Sequence, residues 1–369
     1  MGLPLPEQPE RARPRGDDRR RAAGPGAALS RRDDRLPPAR RRRTHLVRQG
    51  HERRLRRYRG RCGRRLYDRA LAARPQGRGP DHPAITDPRR DVSSAIDVAL
   101  TAGDILLGRW GERGAGLRTK TTDTDIVLDA DRAAEDAAVG IIRTTYPADA
   151  VLAEEGSSGT GTSGRTWYID PLDGTVNYFY GLPHFAAAVA CEDADGLVCG
   201  VVLDVWRQEL FAAIRGGGAW SFDEHAMHEV GGLAALREEW STARGHRLGT
   251  TQLSDVAHAL VATGFAYAPA ARDEQARILN GVLGRIRDIR RFGSAQLDLA
   301  SVAAGKMDAY FESVDKPWDW KAGALLVREA GGRVTELEQK RPGQPHIVAS
   351  GAVVHDALVA LIRNAVQSH

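Results

Sequence analysis

The chain has 369 residues, enough for one large domain or two ordinary ones. Its net charge of +5 hides a split: residues 1–90 hold 27 arginines, no lysine and 10 acids (net +17), whereas residues 91–369 hold 26 basic and 38 acidic side chains (net −12). Three cysteines (Cys62, Cys191, Cys199) without Cys-x-x-Cys spacing exclude a disulfide framework or zinc site, and no apolar run nears the roughly 18 residues of a membrane span.

Residues 1–90 show no sustained period of 2 or 3.6 and are crowded with Arg, Pro and Gly. Such a segment cannot bury enough apolar surface to offset its ordering entropy, so a disordered basic tail is expected. Clusters such as Arg40 to Arg43 would attract phosphates, which makes RNA or another polyanion the partner class for a working tail. Arginine without a single lysine is also what a misassigned start in GC-rich DNA would produce. From Asp91 onward the acidic composition reads as a cation-binding enzyme, expected in the reducing cytoplasm.

In chain order, Val92, Ile96, Ala99, Leu100, Gly103, Leu106 and Leu107 recur at helical spacing up to Trp110 and Gly111. Leu117 to Thr122 reads as a short edge segment, Asp131 to Thr145 as an amphipathic helix and Ala150 to Ala153 as a strand ending on Glu154-Glu155-Gly156. A Ser/Gly/Thr-rich loop over 157–164 leads to a strand from Thr166 to Ile169. Strands follow over Phe185–Cys191, Leu197–Leu203 and Glu209–Ile214, the first two joined by an Asp195-Gly196 hairpin signal. Residues 221–245 read as an insertion. Beyond it come strand Ala259–Thr263, helix Asp273–Leu283, strand Ile286–Arg290, helix Ser294–Ala304, strand Asp308–Glu312 and helix Trp318–Ala330. Two short strands and helix Asp356–Ala365 complete an α+β or α/β layered pattern.

The chemistry concentrates in Trp167-Tyr-Ile-Asp170-Pro-Leu172-Asp173-Gly174-Thr175-Val-Asn177. Two carboxylates three apart can grip a hard cation through oxygen, and Gly174-Thr175 opens a helix whose N–H groups would face an anion. Lys120 and Asp131 flank a turn before a helix, Glu154 ends a strand where the crevice of an α/β sheet lies, Glu312 ends another, and Asp319 follows Pro317-Trp318. Carboxylates converging without a cation would repel one another. Oxygen-only ligation favours Mg2+ over Zn2+.

Val-Leu-Ala-Glu154-Glu155, Trp167-x-Ile-Asp170-Pro-Leu-Asp173-Gly174-Thr175-x-Asn177, Arg291-Phe-Gly293-Ser294-Ala295 and Pro317-Trp318-Asp319-x-x-Ala-Gly323 together resemble the signatures of the inositol monophosphatase family. The resemblance covers about residues 91–365 and implies an αβαβα sandwich of the inositol monophosphatase and fructose-1,6-bisphosphatase type. It also implies dependence on two or three Mg2+ ions per site, inhibition by Li+ and a homodimer. Carried across by motif, Glu154, Asp170 and the Leu172 carbonyl would hold the first metal, and Asp170, Asp173 and Asp319 the second, with Glu154 also touching a third. Asp131 and Thr175 would orient or activate a water, Gly174 and Thr175 would cradle the phosphate, and Glu312 with the Gly293–Ala295 turn would face substrate hydroxyls. Where the family carries a threonine before its Asp131 counterpart, this chain has Leu128.

The implied activity is hydrolysis of a small phosphate monoester, with myo-inositol 1-phosphate the leading substrate. Histidinol phosphate, a sugar bisphosphate or adenosine 3′,5′-bisphosphate are alternatives, and an RNA- or transcription-associated role through the tail is one of a different class. Every motif residue lies between Lys120 and Asp319, so a chain beginning at Asp87 is expected to fold, bind Mg2+ and keep its kcat/KM. Comparing it with the full chain in a phosphate-release assay checks this; loss of solubility or activity would show that the tail packs on the domain.

Overall fold

The computed structural model describes residues 87–111, 117–119, 126–223 and 245–367. The expected tail up to residue 86, Lys120 and most of the expected insertion lie outside the described residues.

Helix α1 (Pro88–Arg109) begins before the expected boundary at Asp91. Asp87 caps it, its side chain accepting from Arg89 N at 3.0 Å, and Pro88 occupies the first turn where a missing N–H costs nothing. Strands β1 (Arg118–Thr119) and β2 (Ile126–Val127) pair antiparallel and lead into α2 (Asp129–Thr145). Then follow β3 (Ala150–Ala153), β4 (Thr166–Asp173), the short helix α3 (Thr175–Tyr180), β5 (Ala186–Asp193), β6 (Gly196–Asp204), β7 (Glu209–Ile214), β8 (Gly218–Phe222) and β9 (His246–Arg247). The second half comprises β10 (Leu260–Thr263), α4 (Pro269–Leu283), β11 (Asp288–Arg290), α5 (Ala295–Ala303), β12 (Ala309–Glu312), α6 (Lys321–Glu329), β13 (Gly332–Glu336), β14 (Ile347–Gly351) and α7 (His355–Gln367).

Two expectations change. The insertion at 221–245 begins within strand β8 and leads directly into strand β9, and both extend the first sheet. The helix expected from Trp318 starts at Lys321, after a 3-10 turn over Pro317–Asp319, since proline suits a helix start but the chain must first bend out of β12.

Strands β3 to β9 form one sheet in chain order, with β3 and β4 parallel and the later pairs antiparallel. The second sheet has the order β11-β10-β12-β14-β13. Helices α1 and α2 cover one face of the first sheet, and α5 and α6 lie between the sheets. Helices α4 and α7 cover the far face of the second sheet. The order is therefore αβαβα.

Helix polarity follows from layer. Helix α6 is buried continuously from Ala322 to Val327, as a helix sandwiched between two sheets must be, whereas α2 buries one stripe. Two glycines bring the middle layer close. A Cβ on Gly200 of β6 would stand 2.8 Å from the Ala322 carbonyl oxygen, and one on Gly323 would stand 2.5 Å from Leu299 Cβ.

The outer layer is pinned by charge. Arg165, buried just before β4, pairs with Asp91 of α1 at 2.7 Å and donates to Cys191 Sγ at 3.1 Å. Burial raises the Asp91 carboxyl above its ordinary range, and the guanidinium opposes that rise. Removing one member of a buried pair leaves an uncompensated charge. Arg165→Met is expected to cost about 3–5 kcal/mol in urea unfolding, and the double change Asp91→Asn with Arg165→Met to cost less than that.

Candidate active site

Strand pairing assembles the acidic cluster. Because β3 and β4 are parallel neighbours in the register Ala153↔Ile169, the next residues along the two strands, Glu154 and Asp170, emerge side by side. Asp170 and Asp173 pose a geometric problem, since residues three apart on a regular strand point to opposite faces. Opposite β5, however, the register runs from Asp170↔Ala188 to Asp173↔Ala186, three steps on one strand against two on the other. This bulge at Pro171-Leu172 turns both aspartates to the face of Ala186 and Ala188, which look into the middle layer. Asp319 arrives there from the turn ahead of α6, and Glu312 from the end of β12.

Desolvation raises Asp170 well above the ordinary carboxylate range, and Glu154, Asp173 and Asp319 push it further. Asp319 is raised for the same reasons, burial first and then Glu154, Asp173 and Glu312. Asp173 rises to about 6; burial drives it, opposed by donors from the start of α5. Those donors are Ser294 Oγ at 2.6 Å, Gln296 N at 2.7 Å and Ala295 N at 3.3 Å. The Ser294-Ala295 turn, expected to face substrate, is thus engaged in holding Asp173 at a helix N-terminus. Burial lifts Glu312 to about 7 against the Tyr310 hydroxyl, which donates to it at 3.0 Å, and against the charge of Arg291.

Asp131 and Thr175 meet as a pair. Thr175 Oγ1 lies 3.1 Å from both Asp131 Oδ1 and the Leu172 carbonyl oxygen, so its single proton can serve either. Leu128, where the family hydroxyl is missing, caps α2 without a side-chain bond, yet its N–H donates to Asp131 Oδ2 at 3.1 Å. Asp131 keeps its backbone anchor despite the substitution. Gly174 is left-handed (φ 92°), and a Cβ there would sit 3.1 Å from the Gly293 carbonyl oxygen and 3.2 Å from that of His184. Asn177 Nδ2 ties the same corner together by donating to the carbonyls of His184 and Phe292, both at 2.8 Å.

The donor set fits a hard cation. It is oxygen only, Asp170 stands among three other carboxylates, and burial there is unfavourable without positive charge. Among the described residues, no three carboxylates stand ready-made as a metal cage. Asp170 instead hydrogen-bonds with Glu154, its Oδ1 accepts from Leu172 N at 3.1 Å, and Asp173 leans on α5.

Two supporting residues escaped the sequence pattern. Glu135, buried on α2, accepts from Glu155 N at 2.5 Å and Ser157 N at 2.8 Å, and so fixes the turn that carries Glu154. Its signal was an acid on the apolar stripe of that helix. Gln296 is fully buried in α5, a helix that also buries Asp298 among its apolar residues.

The sequence profile of the inositol monophosphatase family matches residues 87–368. A Pseudomonas aeruginosa protein named Nus factor SuhB is 37% identical over 282 residues, 74% of this chain and 95% of that protein. The Mycobacterium tuberculosis protein named inositol-1-monophosphatase SuhB is 34% identical over 293 residues, 75% of this chain and 95% of its own length. Among solved structures, Mycobacterium tuberculosis SuhB superposes with a TM-score of 0.61 at 32% identity, covering 76% of this chain and 98% of that one. The inositol monophosphatase of Anabaena (Nostoc) sp. PCC 7120 gives 0.60 at 30% identity, covering 76% and 97%. With the fold, the motifs and these matches in agreement, the chain belongs to the inositol monophosphatase family and is a phosphoric monoester hydrolase.

Proposed function

We propose that this protein hydrolyses inositol 1-phosphate or a closely similar small phosphate monoester. Mg2+ ions would be held by Glu154, Asp170, the Leu172 carbonyl, Asp173 and Asp319. The observation that carries this reading is the gathering of half-buried Glu154, Asp173 and Asp319 around buried Asp170, beside the Asp131–Thr175 pair at 3.1 Å. The name inositol-1-monophosphatase on relatives supports the choice of substrate. When bound, the cations would supply the positive charge a phosphate dianion needs before a nucleophile can approach, and would acidify a water at neutral pH.

The chain's own residues do the rest. Thr175 Oγ1, steadied by Asp131 and the Leu172 carbonyl, orients the attacking water, and Asp131 Oδ1 receives the proton through that hydroxyl. The N–H groups at Gly174 and Thr175 face the phosphate, and Glu312 accepts from a substrate hydroxyl. A homodimer and inhibition by Li+ belong to the same proposal, checked by sedimentation and by LiCl in the assay.

Phosphate release from a panel of monoesters, with Mg2+ and with EDTA, tests the reading. Release from inositol 1-phosphate only with Mg2+ is expected, and release that survives EDTA would overturn it. Asp173→Asn should abolish turnover at saturating Mg2+ with the circular dichroism unchanged; activity within about tenfold of wild type would sink the cation assignment. Thr175→Ala should lower kcat by about 10²-fold or more, and no phosphorylated Thr175 should be trapped at any stage of turnover.

Metal-free stability carries a pH signature. The folded values of about 6 for Asp173 and about 7 for Glu312 lie above those of the unfolded chain, so the native state binds more protons between about pH 4 and 7. The contribution of these two groups to stability is therefore greatest below that window and is lost as pH rises through it. In EDTA the melting temperature should drop from pH 5 to 8, and Mg2+ should reverse the drop at pH 8.

Relatives named Nus factor SuhB favour a second reading, a role beside the transcription machinery. RNA filter binding across a salt series, with and without residues 1–90, tests it. Binding that needs the +17 segment and weakens steeply with salt is expected, and salt-independent binding or none would remove this reading.

A further inference from the structure

The two aspartates assigned to one cation come from different layers. Asp173 ends β4 of the first sheet, while Asp319 sits in the 3-10 turn ahead of α6. Gln296 links them. Its backbone N–H donates to Asp173 Oδ2 at 2.7 Å, and its side-chain amide reaches the opposite partner at both ends. Nε2 donates to the Trp318 carbonyl oxygen at 2.6 Å, and Oε1 accepts from Gly323 N at 2.8 Å. Those two groups bracket Asp319 in the chain. The second bond also replaces a missing cap, because Trp320, the residue before α6, makes no side-chain cap bond and the Gly323 N–H is one of the helix's unpaired donors. Gly323 makes the approach possible, since a Cβ there would stand 3.0 Å from Gln296 Oε1.

We propose that Gln296 is a positioning residue that sets the separation of Asp173 and Asp319 and thereby the affinity for a divalent cation. This rests on the reading that those two carboxylates share a cation. A single planar amide is suited to the task because it meets one half-buried acceptor at Trp318 and one buried donor at Gly323. A carboxylate cannot donate to the Trp318 oxygen and an apolar side chain satisfies neither, so the turn would shift to find other partners.

The test titrates Mn2+ into the full-length protein and reads free Mn2+ by electron paramagnetic resonance, independently of turnover. Gln296→Met, which conserves volume, and Gln296→Glu, which keeps the acceptor and loses the donor, should each weaken Mn2+ binding by about tenfold or more. Val282→Ala, buried in α4 away from the site, serves as a control that lowers stability without touching the brace, and should bind Mn2+ as wild type does. Wild-type affinity in Gln296→Glu or Gln296→Met would overturn the proposal, as would a loss no larger than that of Val282→Ala at matched melting temperature. Failure of the wild-type protein to bind Mn2+ would instead sink the cation reading of the whole cluster.

Discussion

Like charges crowded around one buried carboxylate are the constraint that organises this molecule. Asp170 is almost fully out of water with Glu154, Asp173 and Asp319 around it, an arrangement that desolvation and mutual repulsion both oppose. The fold must therefore hold it rigidly. The carboxylates enter on different kinds of support: parallel strand ends for Glu154 and Asp170, a bulge for Asp173, a proline-led turn for Asp319. Each support is itself fixed by hydrogen bonds, as where Glu135 grips the turn after Glu154 and α5 caps Asp173.

The layers exist to bring those supports together. The middle helices α5 and α6 bury long stretches because sheets lie on both sides; Gly200 lets the β6 backbone approach that of Ala322, and Gly323 lets α6 approach the side chains of Leu299 and Gln296. The start of α5 then offers N–H groups to Asp173, and its dipole favours the ionised carboxylate that burial disfavours. The helix is thus packed as core and oriented as an electrostatic partner. That dual use explains why a buried helix is preceded by the capping Ser294 and carries the amide of Gln296.

Family membership settles the fold and the class of reaction but leaves room for divergence. Relatives of comparable similarity carry the names Nus factor and inositol-1-monophosphatase, so one scaffold bears two functional descriptions. Leu128 shows how such a scaffold tolerates change. The hydroxyl is gone, but the backbone N–H at the same position still holds Asp131, so the pair with Thr175 survives.

Much of this was legible in the chain because the information is local. Alternating apolar runs set β4, β6 and β7, helical periodicity set α1 and α2, and Asp170-Pro-Leu-Asp173-Gly-Thr175 marked a site through residues adjacent in sequence. The Asp87-Pro88 cap is equally local, and it starts α1 three residues ahead of Asp91. What tertiary structure alone decided depends on partners far along the chain. Whether Asp170 and Asp173 share a face is set by how many residues β5 spends opposite them, and β8 and β9 become strands because the edge of a sheet is there to pair with. Asp173 lies 121 residues from the serine that donates to it, and the buried amide of Gln296 has no visible partner until the turn around Asp319 is placed against it. Periodicity reports which side of an element is buried. Only the packed layers decide which buried polar groups meet, because a hydrogen bond needs a partner at a distance and angle that no single segment contains.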